Sequence, residues 1–484
     1  MGLATASAQA YHFTYTPRCQ QAYAAYLSLR PAAGDALLKQ ELIADPYNLL
    51  ATYIGDYGDF LTLLFNGDPK ELRQRQDHKD LRLDLIDRAP DTEPWKDLAK
   101  AGIQMHWALI QIRFGEQLKA ALAFRKSFAL SRDNAKRFPK FAPNAVFLGT
   151  QEAVAGTIPE DYNWLTSIFG LSGSVRSGEA RLAGYIKSQT PAQPLYEEAN
   201  IFLQYIRFYL SYKQAEVWST VSSETNFPAK GNLLRLFVRA NIALNYRKAD
   251  AALAALHTAQ SLAGSNAYPA FSYETGNALL FKLDASCTAY FEQYAAANRG
   301  KTFTKDALQK AALAYYLQGK PAQAADALRR ARSSGNTLTD ADRGAQRFAE
   351  EGVWPDAVLL QTRLLIDGGF SPAAMVKLRA IDARRLSDIS FALEYYFRLG
   401  RAQDETGDAG QAVQSYQRAI NAGKDRKEQF AARSALQMAL IYERLGQRKE
   451  ALDYFRICLA MRHHDFQSTI DQQAKAGLNR LQSQ

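Results

Sequence analysis

Small and apolar residues return along this chain at a fixed cadence. A small residue is followed twelve positions later by alanine, four later by an aromatic residue or leucine, and three later by another small residue. Gly400, Ala412, Tyr416 and Ala419 show it within Tyr395–Ala422, and Ala439, Ala451, Phe455 and Cys458 repeat it. Ala312, Ala324, Leu328 and Ala331 fit, as do Ala240, Ala252, Leu256 and Ala259; Leu203 with Ala215, Asn277 with Ala289 and Gln361 with Ala373 are weaker copies. Spacings of three and four stack side chains on one helix face, and two such faces separated by a polar break predict antiparallel helix pairs. Small residues let the two helices approach, and the large residue of the second fills the gap to the next pair. The fold expected is all-α.

The pattern resembles the tetratricopeptide repeat, which implies a right-handed solenoid of antiparallel helix pairs. The equivalent first positions, 203, 240, 277, 312, 361, 400 and 439, lie 37, 37, 35, 49, 39 and 39 residues apart, against about 34 for the family. The excess is assigned to polar connections such as Ser333–Asp342 and Gly423–Glu428. Residues 191–484 thus read as an array of about seven repeats. Residues 11–142 read as a less regular helical region of the same kind. It has one good copy (Ala108, Ala120, Phe124, Ser127), one over Cys19–Asn48, and between them a helix pair at Tyr53–Phe65 and Lys70–Arg88. Residues 143–190 read as an irregular helical insert. Within it, 143–187 resemble the eukaryotic tetratricopeptide-39 and inclusion-clearance proteins through a proline-containing hydrophobic helix and an aromatic-Gly-x-x-Gly turn (Phe169, Gly170, Gly173), without that family's doubled proline.

The repeat resemblance also implies a function and a site. Such arrays are non-enzymatic scaffolds that bind a protein or peptide in a concave groove lined by the first helix of each pair. In that register the groove residues are Phe237, Asn241, Asn245, Lys310 and Tyr316, then Phe397, Arg398, Arg401, Arg433, Gln437 and Arg444. Fixed arginine and amide side chains suit carboxylates or backbone amides of an extended segment. The family's clamp for C-terminal carboxylates, a Lys/Asn pair followed by Asn and a Lys/Arg pair, is present only in fragments.

Charge sharpens the choice of partner. The chain has 484 residues and a net charge of +10, with Lys+Arg 22 against Asp+Glu 20 up to residue 190 and 37 against 29 beyond it. The basic excess therefore lies in the repeats and favours an acidic partner; no nucleic-acid reader module accompanies it. No apolar run is long enough to span a membrane. Ala8-Gln9-Ala10 has the small residues of a signal-peptidase site, so residues 1–10 are read as the tail of a bacterial export signal and the protein as periplasmic or cell-surface.

Chemistry-bearing motifs are sparse. Three cysteines cannot form a fully paired disulfide set or a cysteine zinc cage. None of the six histidines has metal-pair spacing; His106 reads as a packing residue beside Trp107, and His463-His464 as solvated. Gly170–Gly178 lacks the ending and preceding strand of a phosphate loop. No cofactor, metal or catalytic residue is assigned. Two other classes stay open: an exported glycan-binding protein built on the same helices, with sugars stacked on exposed aromatics, and a hydrolase with its site in 143–187. The aromatics of Tyr205–Tyr209 exceed what one helix face buries and suit a cleft or a partner surface.

Overall fold

The computed structural model describes residues 10–157, 172–262 and 264–482. These residues are all-α, with one isolated bridge between His12 and Asn48. The chain begins with α1 (Pro17–Tyr26), α2 (Pro31–Ala44) and the long α3 (Leu49–Asn66), then two short helices, α4 (Pro69–Arg75) and α5 (His78–Ile86). Helix pairs follow: α6 (Pro94–Arg113) with α7 (Gln117–Arg137), α8 (Asn144–Ala155) with α9 (Val175–Ser188), and α10 (Tyr196–Tyr205) with α11 (Gln214–Val221). Next are α12 (Leu233–Asn245) with α13 (Ala249–Gln260), α14 (Pro269–Phe281) with α15 (Cys287–Ala297), and α16 (Thr304–Leu317) with α17 (Pro321–Ser333). A single helix, α18 (Asp340–Glu351), precedes α19 (Ala357–Gly368) with α20 (Ser371–Arg379), α21 (Ile389–Glu405) with α22 (Ala409–Gly423), α23 (Phe430–Arg444) with α24 (Arg448–Ala460), and the closing α25 (Gln467–Gln482).

Local chemistry starts many of these helices. Proline occupies the first position of α1, α2, α4, α6, α14 and α17, where its missing N–H costs nothing. Asn48, Asp68, Asn232, Thr339, Asp356 and Asp388 each accept a backbone N–H in the first turn of the helix they precede.

Packing follows the cadence. A Cβ placed on Gly400 of α21 would lie 2.7 Å from the ring of Tyr416 on α22, and one on Gly276 of α14 would lie 2.8 Å from Phe291 on α15. Tyr416 and Phe291 are fully buried. The same closeness occurs between Gly34 of α2 and Tyr26 of α1, at 2.6 Å.

Two features depart from the sequence reading. The 49-residue separation is not a long loop: it holds α18. Buried Asp342, in that helix's first turn, accepts the backbone N–H of Phe303 at 2.7 Å and of Asp306 at 3.3 Å, anchoring α18 to the start of α16. The expected helix over 70–88 is broken into α4 and α5. Residues 158–171, which include Trp164 and Phe169 of the insert, and residues 1–9 of the expected signal tail lie outside the described residues. The insert's described parts, α8 and α9, pack as a pair, with Gly178 against the Gly149 carbonyl.

The array curls until distant repeats touch. Phe65 at the end of α3 sets its ring 5.0 Å from Phe237 and 5.6 Å from Tyr268, and the Tyr268 hydroxyl donates to the Leu29 carbonyl at 3.0 Å. His106, read from sequence as simple packing, holds three elements together. Wholly buried, its Nδ1 meets Asp56 of α3 at 2.8 Å and its Nε2 meets Glu198 of α10 at 3.0 Å. Trp107 donates to Asp56 and Tyr57 donates to Glu198. Phe60 stacks on the imidazole at 4.4 Å. Burial opposes the charged ring, but Glu198 and Asp56 outweigh it and lift its pKa to about 9.

Two predictions follow from this packing. Gly400→Ala gains about 0.5–1 kcal/mol of helix propensity but forces a methyl into the Tyr416 ring at an overpacking cost of about 1–3 kcal/mol, so its urea midpoint falls. Gly344→Ala in α18 meets nothing within 4 Å, and its midpoint rises. For His106, the folded pKa lies above the unfolded value near 6.5. Its contribution is therefore complete below about pH 6.5 and is lost as pH rises through about 9. Thermal unfolding should show a stability loss over that window that His106→Gln abolishes, the variant itself costing about 3–5 kcal/mol by leaving buried carboxylates unpaired.

Candidate functional site

Beside the contact that joins Gly400 of α21 to Tyr416 of α22, α21 presents a side toward α19 and α23. Phe397, Arg398, Arg401, Asp404 and Glu405 lie on that side and line a cavity of about 450 Å³. Gln429, Phe430, Arg433 and Gln437 from α23 and its N-terminal edge form one wall, Arg363 and Asp367 of α19 the other, and Tyr416 of α22 part of the lining. The remaining lining residue, Arg247, comes from the turn between α12 and α13, more than a hundred residues earlier. Its backbone is left-handed, with φ of 57°. It reaches the cavity because Gly369, at the end of α19 with φ of 88°, leaves room for it: a Cβ there would lie 2.1 Å from the Arg247 carbonyl oxygen.

The five arginines are held differently. Arg398 is 7% exposed and donates to Glu394 at 3.1 and 2.8 Å, with its guanidinium 5.3 Å from the Phe397 ring and 5.4 Å from the Phe430 ring. Burial, with Arg363 and Arg401 nearby, lowers its pKa to about 10 despite Glu394. Arg401 is also desolvated, yet Asp367 at 2.8 Å and Glu405 at 3.5 Å raise its pKa. Arg247 pairs with Glu405 at 3.3 Å. Arg433 donates to the Gln429 amide oxygen and sits over Phe466. It has no carboxylate within ion-pair distance among the described residues, and burial together with Arg401 lowers its pKa. Arg363 has neither a hydrogen bond nor an ion pair among the described residues.

The expected groove residues thus fall into two groups. Phe397, Arg398, Arg401, Arg433 and Gln437 come together at one cavity, with Arg444 at its edge, exposed and bonded to Asp404. The upstream five do not join it. Phe237 packs edge to face against Phe65 and Phe271. Asn241 donates to Glu274 at 3.0 Å, and Asn245 donates to the Asn241 carbonyl at 2.8 Å. Lys310 is held by Asp306 at 2.7 Å and over the Tyr273 ring at 4.7 Å. Tyr316 donates to the Pro355 carbonyl at 3.1 Å and stacks on Trp354. Their hydrogen-bonding and ring contacts are made within the array.

Sequence reasoning missed Arg247, Arg363 and Asp367, whose approach depends on curvature. In the Tyr205–Tyr209 run, a π-turn over Ile206–Leu210 buries Phe208 and leaves Tyr209 42% exposed. His464 is buried rather than solvated. Cys19, Cys287 and Cys458 are free and buried. Among the described residues no group of His, Cys, Asp and Glu is arranged to hold a metal ion, and no helix is long and apolar enough to cross a membrane.

Comparison with known proteins agrees with this architecture. Residues 306–334, 393–422 and 434–467 each match tetratricopeptide-repeat family models. No curated protein matches the chain by sequence. A solved chain from "Crystal structure of APC/C hetero-tetramer Cut9-Hcn1" aligns over 96% of this chain and 97% of its own, at 11% identity and a TM-score of 0.29, too low for a structural argument. The C-terminal half of this all-α chain carries tetratricopeptide repeats.

Proposed function

We propose that the protein is a scaffold that holds an acidic segment of a partner protein in the cavity between α19, α21 and α23. One observation carries this reading: five arginines line that space against three carboxylates, and among the described residues Arg363 and Arg433 have no carboxylate within ion-pair distance. Repeats of this kind generally mediate protein–protein contacts, and an extended peptide supplies both the carboxylates and the backbone amides that Arg433, Gln429 and Gln437 can bind.

The arginines divide into those that serve the fold and those free to serve a ligand. Reversing Arg398 would set a carboxylate beside Glu394 in a desolvated site and unfold the region, so it cannot test binding. Arg363→Glu with Arg433→Glu leaves the paired arginines intact. By fluorescence anisotropy, a labelled acidic peptide pool should bind the parent protein and lose at least tenfold in affinity with this double variant, while far-UV circular dichroism stays unchanged. Binding to the parent should weaken between 50 and 200 mM salt. Equal affinity for parent and variant would sink the reading.

A further inference from the structure

The charges around this cavity do not balance, and the size of the imbalance is informative. Arg247, Arg363, Arg398, Arg401 and Arg433 line it with Asp367, Asp404 and Glu405. Glu394 pairs with Arg398 and Arg444 pairs with Asp404. Among the described residues these make six guanidinium groups and four carboxylates, an excess of two positive charges concentrated on Arg363 and Arg433.

A second observation points to the same place. The Tyr416 ring is fixed against Gly400 and wholly buried, yet its hydroxyl has no hydrogen-bond partner among the described residues. The charged groups acting on that hydroxyl are Arg401, Asp404, Glu405 and Arg247, all from the cavity wall. A buried hydroxyl without a partner has lost its hydration with nothing in return, a loss that an oxygen-rich ligand would make good.

Resting on the scaffold reading above, we propose that the group this cavity accepts is a phosphate monoester on a side chain of the partner protein. A phosphate monoester carries about −1.5 to −2 charge near pH 7 and three acceptor oxygens. That matches two unpaired guanidinium groups and a hydroxyl donor. A single carboxylate would leave one arginine uncompensated. Two carboxylates on an extended peptide are a poorer match: adjacent side chains point to opposite sides, and alternate ones stand about 6.5–7 Å apart. One dianionic group concentrates the charge on a single centre, which a guanidinium group can fork onto.

The test uses the full chain and peptide pools with acidic flanks and a fixed central residue: serine, phosphoserine, phosphotyrosine or glutamate. Phosphorylation should tighten binding at least tenfold over serine, and glutamate less than threefold. Tyr416→Phe removes only the unpartnered hydroxyl, so it should leave the unfolding midpoint equal or higher and cut the gain from phosphorylation at least threefold. Arg363→Gln with Arg433→Gln should abolish that gain. If phosphorylated and unmodified pools bind equally while both depend on Arg363 and Arg433, phosphate recognition is wrong and the acidic-segment reading stands. If no pool binds in a manner dependent on those arginines, both are wrong. Inorganic phosphate displacing the phosphopeptide at equal concentration would assign the cavity to a free anion and overturn the peptide-borne source.

Discussion

An aromatic ring set against a position that carries no side chain is the constraint on which this molecule depends. A helix pair of some thirty residues cannot bury its own apolar face, so it is stable only with neighbours pressed close on both sides. Gly34 under Tyr26, Gly276 under Phe291 and Gly400 under Tyr416 give that closeness in three separate pairs. The contact also sets rotation. Once Gly400 faces Tyr416, the helical period sets Phe397 and Asp404, three and four residues away, on the same face of α21, with Arg401 beside them at the cavity. Tyr416 serves both purposes, with its ring in the core and its hydroxyl among the arginines.

Two clusters of buried charge show how differently the fold treats ions. Around His106 the accounting is complete: each ring nitrogen meets a carboxylate, and Asp56 and Glu198 have additional donors in Trp107 and Tyr57. Removing ions from water costs several kcal/mol each unless geometry and hydrogen bonding restore it, and here both do. That cluster ties α3, α6 and α10 together. The cavity between α19 and α23 is built from similar materials but left with two cations in excess. A cluster satisfied within the chain is a fastening; one left with charge to spare is, on the reading proposed above, a site.

The repeats were legible because their signal is local. Gly400, Ala412, Tyr416 and Ala419 lie within twenty residues, and the cavity residues on α21 and α23 follow from their register. What lay beyond reach depends on contacts between distant segments. Arg247 joins the cavity only through the curl that brings its turn beneath Gly369. Phe237 is covered by Phe65, and His106 finds partners 50 and 92 residues away. The polar helix α18 hid inside what read as a connection, because its anchor, Asp342, acts on the backbone of another repeat.

The same curl decides which groove positions stay open. Where α3 reaches α12 and α14, groove positions such as Phe237 and Asn241 are taken up by contacts within the chain. Beyond α19 the first helices of successive pairs, α21 and α23, turn arginines into one shared cavity. Arg247 closes this space from the side, so a ligand would meet guanidinium groups from four separate segments: the α12–α13 turn, α19, α21 and α23. Binding would therefore bridge pairs that otherwise touch mainly through apolar contacts, and the affinity for an anion would depend on the curvature that holds those segments together.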